Sequence, residues 1–78
     1  MPPLREVRIR RLLSQRELAK RANVAQRTIV EAEAGRQVPH PRTMRKLAEA
    51  LDVDPMEVNE FRAAIEAAVE VAVEKVAA

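Results

Sequence analysis

The sequence predicts an all-α fold: one compact domain of five helices, two of them forming a helix-turn-helix, with the last helix extended past the others. Three observations carry that prediction. Apolar residues recur at three- and four-residue steps through most of the chain, the period of helices that bury one face. Prolines, one glycine and a few short polar residues cut this pattern into short segments with helix-start and helix-stop chemistry. Finally, 78 residues allow a single domain, and one so small buries only roughly 60–65% of its unfolded surface. With 47% hydrophobic residues but 1% aromatic, its core has to be built simply from Leu, Val, Ile, Ala and Met, or be shared with a partner.

The first helix is expected from about Pro3 to Leu12. Pro3 suits a first turn, where a missing N–H costs nothing, and Leu4 and Val7 face inward while Ile9 is partly exposed. The second opens on Ser14 and Glu17, an S-x-x-E capping box in which each side chain satisfies the other residue's free backbone N–H. Leu18 and Ala22 continue its apolar face. Ala19, on the inner side, is small enough to let the next helix cross closely. Asn23 tolerates the left-handed backbone of a helix end. After Val24 the pattern restarts on a new face with Ile29 and Ala32, and Gly35, the only glycine, stops it. Residues 14–35 therefore read as a helix-turn-helix, a unit whose second helix can lie in a DNA major groove.

An irregular loop with two prolines, residues 36–42, follows. Pro41 is placed as the first residue of a fourth helix running to about Leu51, with Met44, Leu47, Ala48 and Leu51 as its apolar stripe. Asp54 as N-cap and Pro55 at the first helical position start a fifth helix, which nothing interrupts from Pro55 to the C-terminus. Val58, Phe61, Ile65, Ala68, Val69, Ala72 and Val76 recur along it, and Glu66, Glu70 and Glu74 mark a different face. Only its first turns are needed to close a small core. Residues 1–60 are thus expected to form the helix-turn-helix domain, and 61–78 an extension for dimerisation or docking. Helices of this length are marginal alone in water, so Ile65, Val69, Ala72 and Val76 need a cover. A second copy of the chain is favoured, because packing across a two-fold axis also pairs two reading heads. The chain's own surface is the alternative.

The net charge of +2 conceals an asymmetry. Residues 1–50 carry twelve Lys or Arg against five acids, whereas residues 51–78 carry two against seven. Such a basic front and acidic tail fit a polyanion-binding half and a half that stays off the polyanion, although solvated helix faces give the same pattern. Near-absence of aromatic residues removes the platforms on which single-stranded bases stack. No Cys and a lone histidine, His40, argue against a metal site, and His40 is expected to cap a helix or face solvent. Ser14 is explained by its cap without a nucleophilic role, and one glycine cannot make a phosphate loop. Met44 and Met56 read as core fillers, so neither an enzyme, a cofactor nor a small-molecule ligand is expected. No apolar run is long enough to span a membrane, and Met1 leads into Pro2 and Pro3 without a signal-peptide core, so a cytoplasmic protein is the expectation.

Residues 4–58 resemble the phage-repressor and Cro-type helix-turn-helix domain, the XRE type. The signals are LSQRELA at 13–19, EAG at 33–35, PHPRT at 39–43 and KLAEALDV at 46–53, within a match covering about two-thirds of the chain. The resemblance implies a five-helix, repressor-like domain that binds operator DNA as a dimer. It places Gln15 on the DNA backbone, where it also braces the recognition helix. It places Gln26 and Arg27 on base edges at the start of the third helix, consistent with Gln pairing to adenine and Arg to guanine. Glu31 falls on another reading position, where a carboxylate accepts from cytosine N4 but repels phosphate. Thr28 either donates to phosphate or packs its methyl on thymine. Arg36 and Arg42 match phosphate-gripping positions, and Arg8 with Glu33 matches a largely buried ion pair joining the first helix to the third.

Three departures stand out. Ala25 replaces the usual hydroxyl residue at the start of the recognition helix, removing a cap. Leu12 stands where glycine commonly ends the first helix, and a positive φ would strain it. Val30, Ala32 and Ala34 make the third helix less polar. Two readings follow: a sequence-specific double-stranded-DNA-binding transcriptional regulator, expected to be a repressor, that reads the major groove with the third helix, and a protein-interaction module such as an antitoxin or adaptor with weak or lost DNA binding.

Overall fold

The first four helices end in one repeated device, which sets every corner of the fold. In the computed structural model, which describes residues 1–77, the chain forms α1 (Leu4–Arg10), α2 (Gln15–Ala22), α3 (Gln26–Glu33), α4 (Pro41–Leu51) and α5 (Asn59–Ala77), with a 3-10 turn at Pro55–Glu57. After α1, α2, α3 and α4 a residue adopts positive φ: Leu12 at 58°, Asn23 at 56°, Gly35 at 72° and Asp52 at 55°. In each case its N–H returns to the carbonyl three residues back, and the following N–H to the carbonyl five back. The second bond of each pair is Leu13 to Arg8, Val24 to Ala19, Arg36 to Glu31 and Val53 to Ala48. This closure satisfies carbonyls that a helix end otherwise leaves free. Three of the four reversals also send the next side chain inward, with Leu13 buried and Val24 and Val53 half-buried against the core.

The helix starts are set just as locally. Ser14 Oγ accepts the Glu17 N–H and Glu17 Oε1 accepts the Ser14 N–H, both at 3.0 Å, so the capping box is complete. Those bonds hold the Glu17 carboxyl below its ordinary pKa, the bond from the Ser14 backbone contributing most. Pro41 is the first residue of α4, and His40 caps it through Nδ1, which accepts the Arg42 N–H at 3.2 Å. Leu4, Leu18, Ile29, Leu47, Leu51, Val58 and Phe61 are fully buried and join one core, with Ala19 buried where α2 meets α3.

Two boundaries differ from expectation. The first helix starts at Leu4 and stops at Arg10: Pro3 is extended (φ −70°, ψ 159°) and precedes the helix, and Leu12 leaves it by turning left-handed so that Leu13 can enter the core. The last helix is not continuous from Pro55. Asp54 caps the 3-10 turn by accepting the Met56 N–H at 2.8 Å, and Val58 is extended (φ −108°, ψ 122°) before α5 begins at Asn59. The break redirects the chain so that the start of α5 abuts the start of α1. There the Asn59 N–H donates to the Pro2 carbonyl at 2.9 Å, and Glu60 Oε1 accepts the Leu4 N–H at 2.9 Å. Pro3 has no side-chain acceptor to offer α1, and Glu60 supplies one across the domain.

α5 spans about 28 Å at a helical rise of 1.5 Å per residue. Phe61 is buried and Ala64 and Ile65 pack on the core, but residues 66–76 are exposed, which stretches the molecule to 45 × 21 × 20 Å. The expected run of this helix to Ala78 lies, in its last residue, outside the described residues.

Candidate nucleic-acid interface

α3 is held from behind and free in front. Its inner residues Ile29 and Ala32 are buried in the core. Its C-terminal end is tied down by Glu33, whose Oε2 accepts Arg8 Nε at 2.6 Å while Oε1 accepts Arg8 Nη2 at 3.0 Å and Gln15 Nε2 at 3.2 Å. Arg8 Nη1 also donates to the Leu13 carbonyl at 2.9 Å. One cluster thus joins α1, the corner after it, the first residue of α2 and the last of α3. Arg8 is the buried charged residue among those described, and its bond to Glu33 pushes its guanidinium pKa up against the opposing effect of burial. The group therefore stays cationic.

The opposite face carries the polar groups. Gln26 and Arg27 are exposed in the first turn of α3, with 88% of the Arg27 side chain accessible. One turn on, Glu31 is different: its side chain is only 17% exposed. Its Oε1 lies 4.0 Å from Arg27 Nε and 3.6 Å from Arg36 Nη1. Thr28 and Val30 are half-buried, and Ala25 supplies no side-chain acceptor to the first turn of α3. Arg42 is exposed in the first turn of α4. Arg5, Ser14, Gln15, Val30 and Ala34 line an open cleft between α1, the start of α2 and the outer side of α3.

Ten of the residues singled out in the sequence fall into three groups, while Gln26 and Arg42 stand exposed and Thr28 half-buried outside them. Arg8, Gln15 and Glu33 meet in the anchoring cluster, so the Gln15 amide nitrogen is engaged with Glu33. Arg27, Glu31 and Arg36 meet at the outer face of α3. Ile65, Val69, Ala72 and Val76 share α5, where Ile65 touches the domain's own core while Val69, Ala72, Val73 and Val76 form an apolar patch beyond it. Arg5 was not singled out: it is an exposed cation one turn before Arg8, and its helical phase alone could have marked it.

A second helix packed against the first across a tight left-handed corner, with its outer face exposed, defines the helix-turn-helix class of DNA-binding domain. The chain matches the family described as Helix-turn-helix over residues 4–58 and belongs to it, a family of DNA-binding regulators of the XRE kind and not of enzymes. No curated protein matches the chain. Among the described residues, no helix is long and apolar enough to cross a membrane.

Proposed function

We propose that this protein is a sequence-specific, double-stranded-DNA-binding transcriptional regulator, acting in the cytoplasm as a repressor that occupies its operator. The observation that carries the reading is the exposure of Arg27 on the first turn of α3, a helix whose far end is fixed by Arg8, Gln15 and Glu33. A guanidinium aimed outward from a rigid support suits bidentate bonding to the O6 and N7 of guanine, and Gln26 beside it suits adenine. Thr28, Arg36, Arg42 and the N-terminal end of α2 at Gln15 hold phosphates on either side. These contacts fix register and supply most of the salt-dependent affinity. A second copy of the chain, joined through Ile65, Val69, Ala72 and Val76, presents a second α3 to a half-site about 34 Å away.

The test is selection from random duplex DNA at fixed salt, followed by two substitutions. Arg27→Ala is expected to weaken the selected site by about 1–3 kcal/mol and to relax preference at one base pair. Arg42→Ala is expected to weaken all sequences alike and to lower the salt slope by about one. If the selection enriches no sequence, or neither substitution alters binding, the reading fails.

A further inference from the structure

We infer that Glu31 is a specificity-setting positioning residue: its half-buried carboxylate holds Arg27 and Arg36 in the free protein and loses them to phosphate at a cost that a cognate groove avoids, which suppresses binding to other duplexes. The inference rests on reading α3 as the groove-facing helix.

The geometry is asymmetric. The carboxylate lies low on the helix, 17% exposed, beneath two guanidinium groups on side chains that are 88% and 66% exposed. Both arginines address the same oxygen, Oε1. Neither pairing is accidental in its placement. Arg27 is one turn N-terminal on the same helix face, where side chains four apart are neighbours. Arg36 is returned over Glu31 by the reversal at Gly35, through which the Arg36 N–H donates to the Glu31 carbonyl at 3.0 Å. Glu33, the other carboxylate of α3, is engaged with Arg8 and Gln15 and does not compete for these two cations.

Separations of 3.6 and 4.0 Å with exposed cationic partners make weak pairs that exchange readily. A phosphate draws the arginines off Glu31, and the carboxylate then faces a polyanion with its compensation removed. At a cognate site Arg27 bonds guanine through its Nη groups while Nε, the atom that faces Glu31 Oε1, stays beside the carboxylate. At a non-cognate site only phosphate contacts are available, so the penalty falls there. Discrimination arises from a penalty on the wrong partner as well as a bond to the right one.

The experiment measures affinity for the selected operator and for random duplex across a salt series, using wild type, Glu31→Gln and Glu31→Asp. Gln keeps the shape and removes the charge, whereas Asp keeps the charge and withdraws the oxygen from both arginines. Both variants are expected to bind random duplex about tenfold tighter, with a salt slope steeper by about one, and to gain less at the operator, so that the ratio of operator to random affinity falls. The same changes in an Arg27→Ala/Arg36→Ala background are expected to give a much smaller gain.

Unchanged random-duplex affinity in both variants overturns the inference. So does an Asp variant that behaves as wild type, or a full gain in the arginine-free background, since either assigns the effect to bare repulsion. A switched preference at one base pair on Glu31→Gln overturns it too, because Glu31 then reads cytosine directly. Failure of wild type to select any operator counts against the regulator reading itself, whereas the random-duplex measurements test Glu31 separately.

Discussion

Arg8 and Glu33 form a two-bond fork across the domain, at 2.6 and 3.0 Å, with side chains 10% and 6% exposed. Glu33 also takes the Gln15 amide and Arg8 the Leu13 carbonyl, so the polar atoms of this buried pair are all used. Removing one partner of such a pair leaves a charge in a poorly solvated site. Arg8→Met is therefore expected to destabilise the domain by about 3–5 kcal/mol in urea unfolding. For a domain of this size that is a large share of total stability. Arg8→Met/Glu33→Met should recover part of the loss, because no lone charge remains; a double variant as unstable as the sum of the single ones would contradict this account.

Leu12 occupies a left-handed position with φ 58° while its side chain is 88% exposed, so the strain is not offset by burial. Left-handed backbone costs a branched L-residue about 1–2 kcal/mol, part of which glycine returns through its freer unfolded chain. Leu12→Gly is expected to stabilise by about 1 kcal/mol, raising Tm by about 4–8 °C. Gly35→Ala is the matched control. A Cβ at Gly35 would meet nothing within 4 Å, so its expected loss of about 1 kcal/mol comes from backbone strain at φ 72° alone.

The capping box makes part of the domain's stability pH-dependent. Glu17 titrates below its ordinary value of 4.5 because its carboxylate accepts from the Ser14 backbone. A depressed folded-state pKa contributes stability that is complete above the unfolded value and lost as pH falls through the folded one. On acidification below 4.5, wild type should therefore lose Tm more steeply than Glu17→Gln, whose amide oxygen accepts at every pH. Above that value the two curves should run parallel. Parallel curves throughout the acid limb would show that the box does not bind its proton differently on folding.

What the sequence disclosed depended on range. Ser14 with Glu17, Asn23, Gly35 and Pro41 announce helix ends because the atoms they satisfy lie within a few residues. The buried stripes of α2, α3 and α4 follow from helical period alone. The break at Val58 was hidden, because it is driven by contacts with the far end of the chain. Leu4 and Glu60 are 56 positions apart, and no local pattern predicts that a glutamate there caps the first helix. Asp52 is equally unmarked by local pattern, although it takes the left-handed position that ends α4. At the site, the exposure of Gln26 and Arg27 follows from the phase of α3. The burial of Glu31 and its approach by Arg36 do not, since both arise from the fold-back at Gly35.

α5 is longer than the core it closes. Beyond Ile65 this helix leaves the domain, and Val69, Val71, Val73 and Val76 are each more than half exposed. Valine is a mediocre helix former, and an unsupported run of this length is marginal in water, so the segment needs a partner to persist. The patch of Val69, Ala72, Val73 and Val76 carries no charge, and at 100° per residue Glu74 points to the far side of the helix while Glu70 lies on the flank of the patch, about 110° from its centre. Two such patches can meet without bringing those carboxylates face to face, which is why a second copy fits better than a basic partner. Light scattering is expected to give a dimer mass for the full chain and a monomer mass after deletion of residues 69–78, and Tm should rise with protein concentration only for the full chain. Since Phe61, Ala64 and Ile65 remain, the truncated domain keeps its core and its unfolding stays cooperative. A mass unchanged by the deletion would remove α5 as the pairing surface and leave the two reading heads to be joined elsewhere.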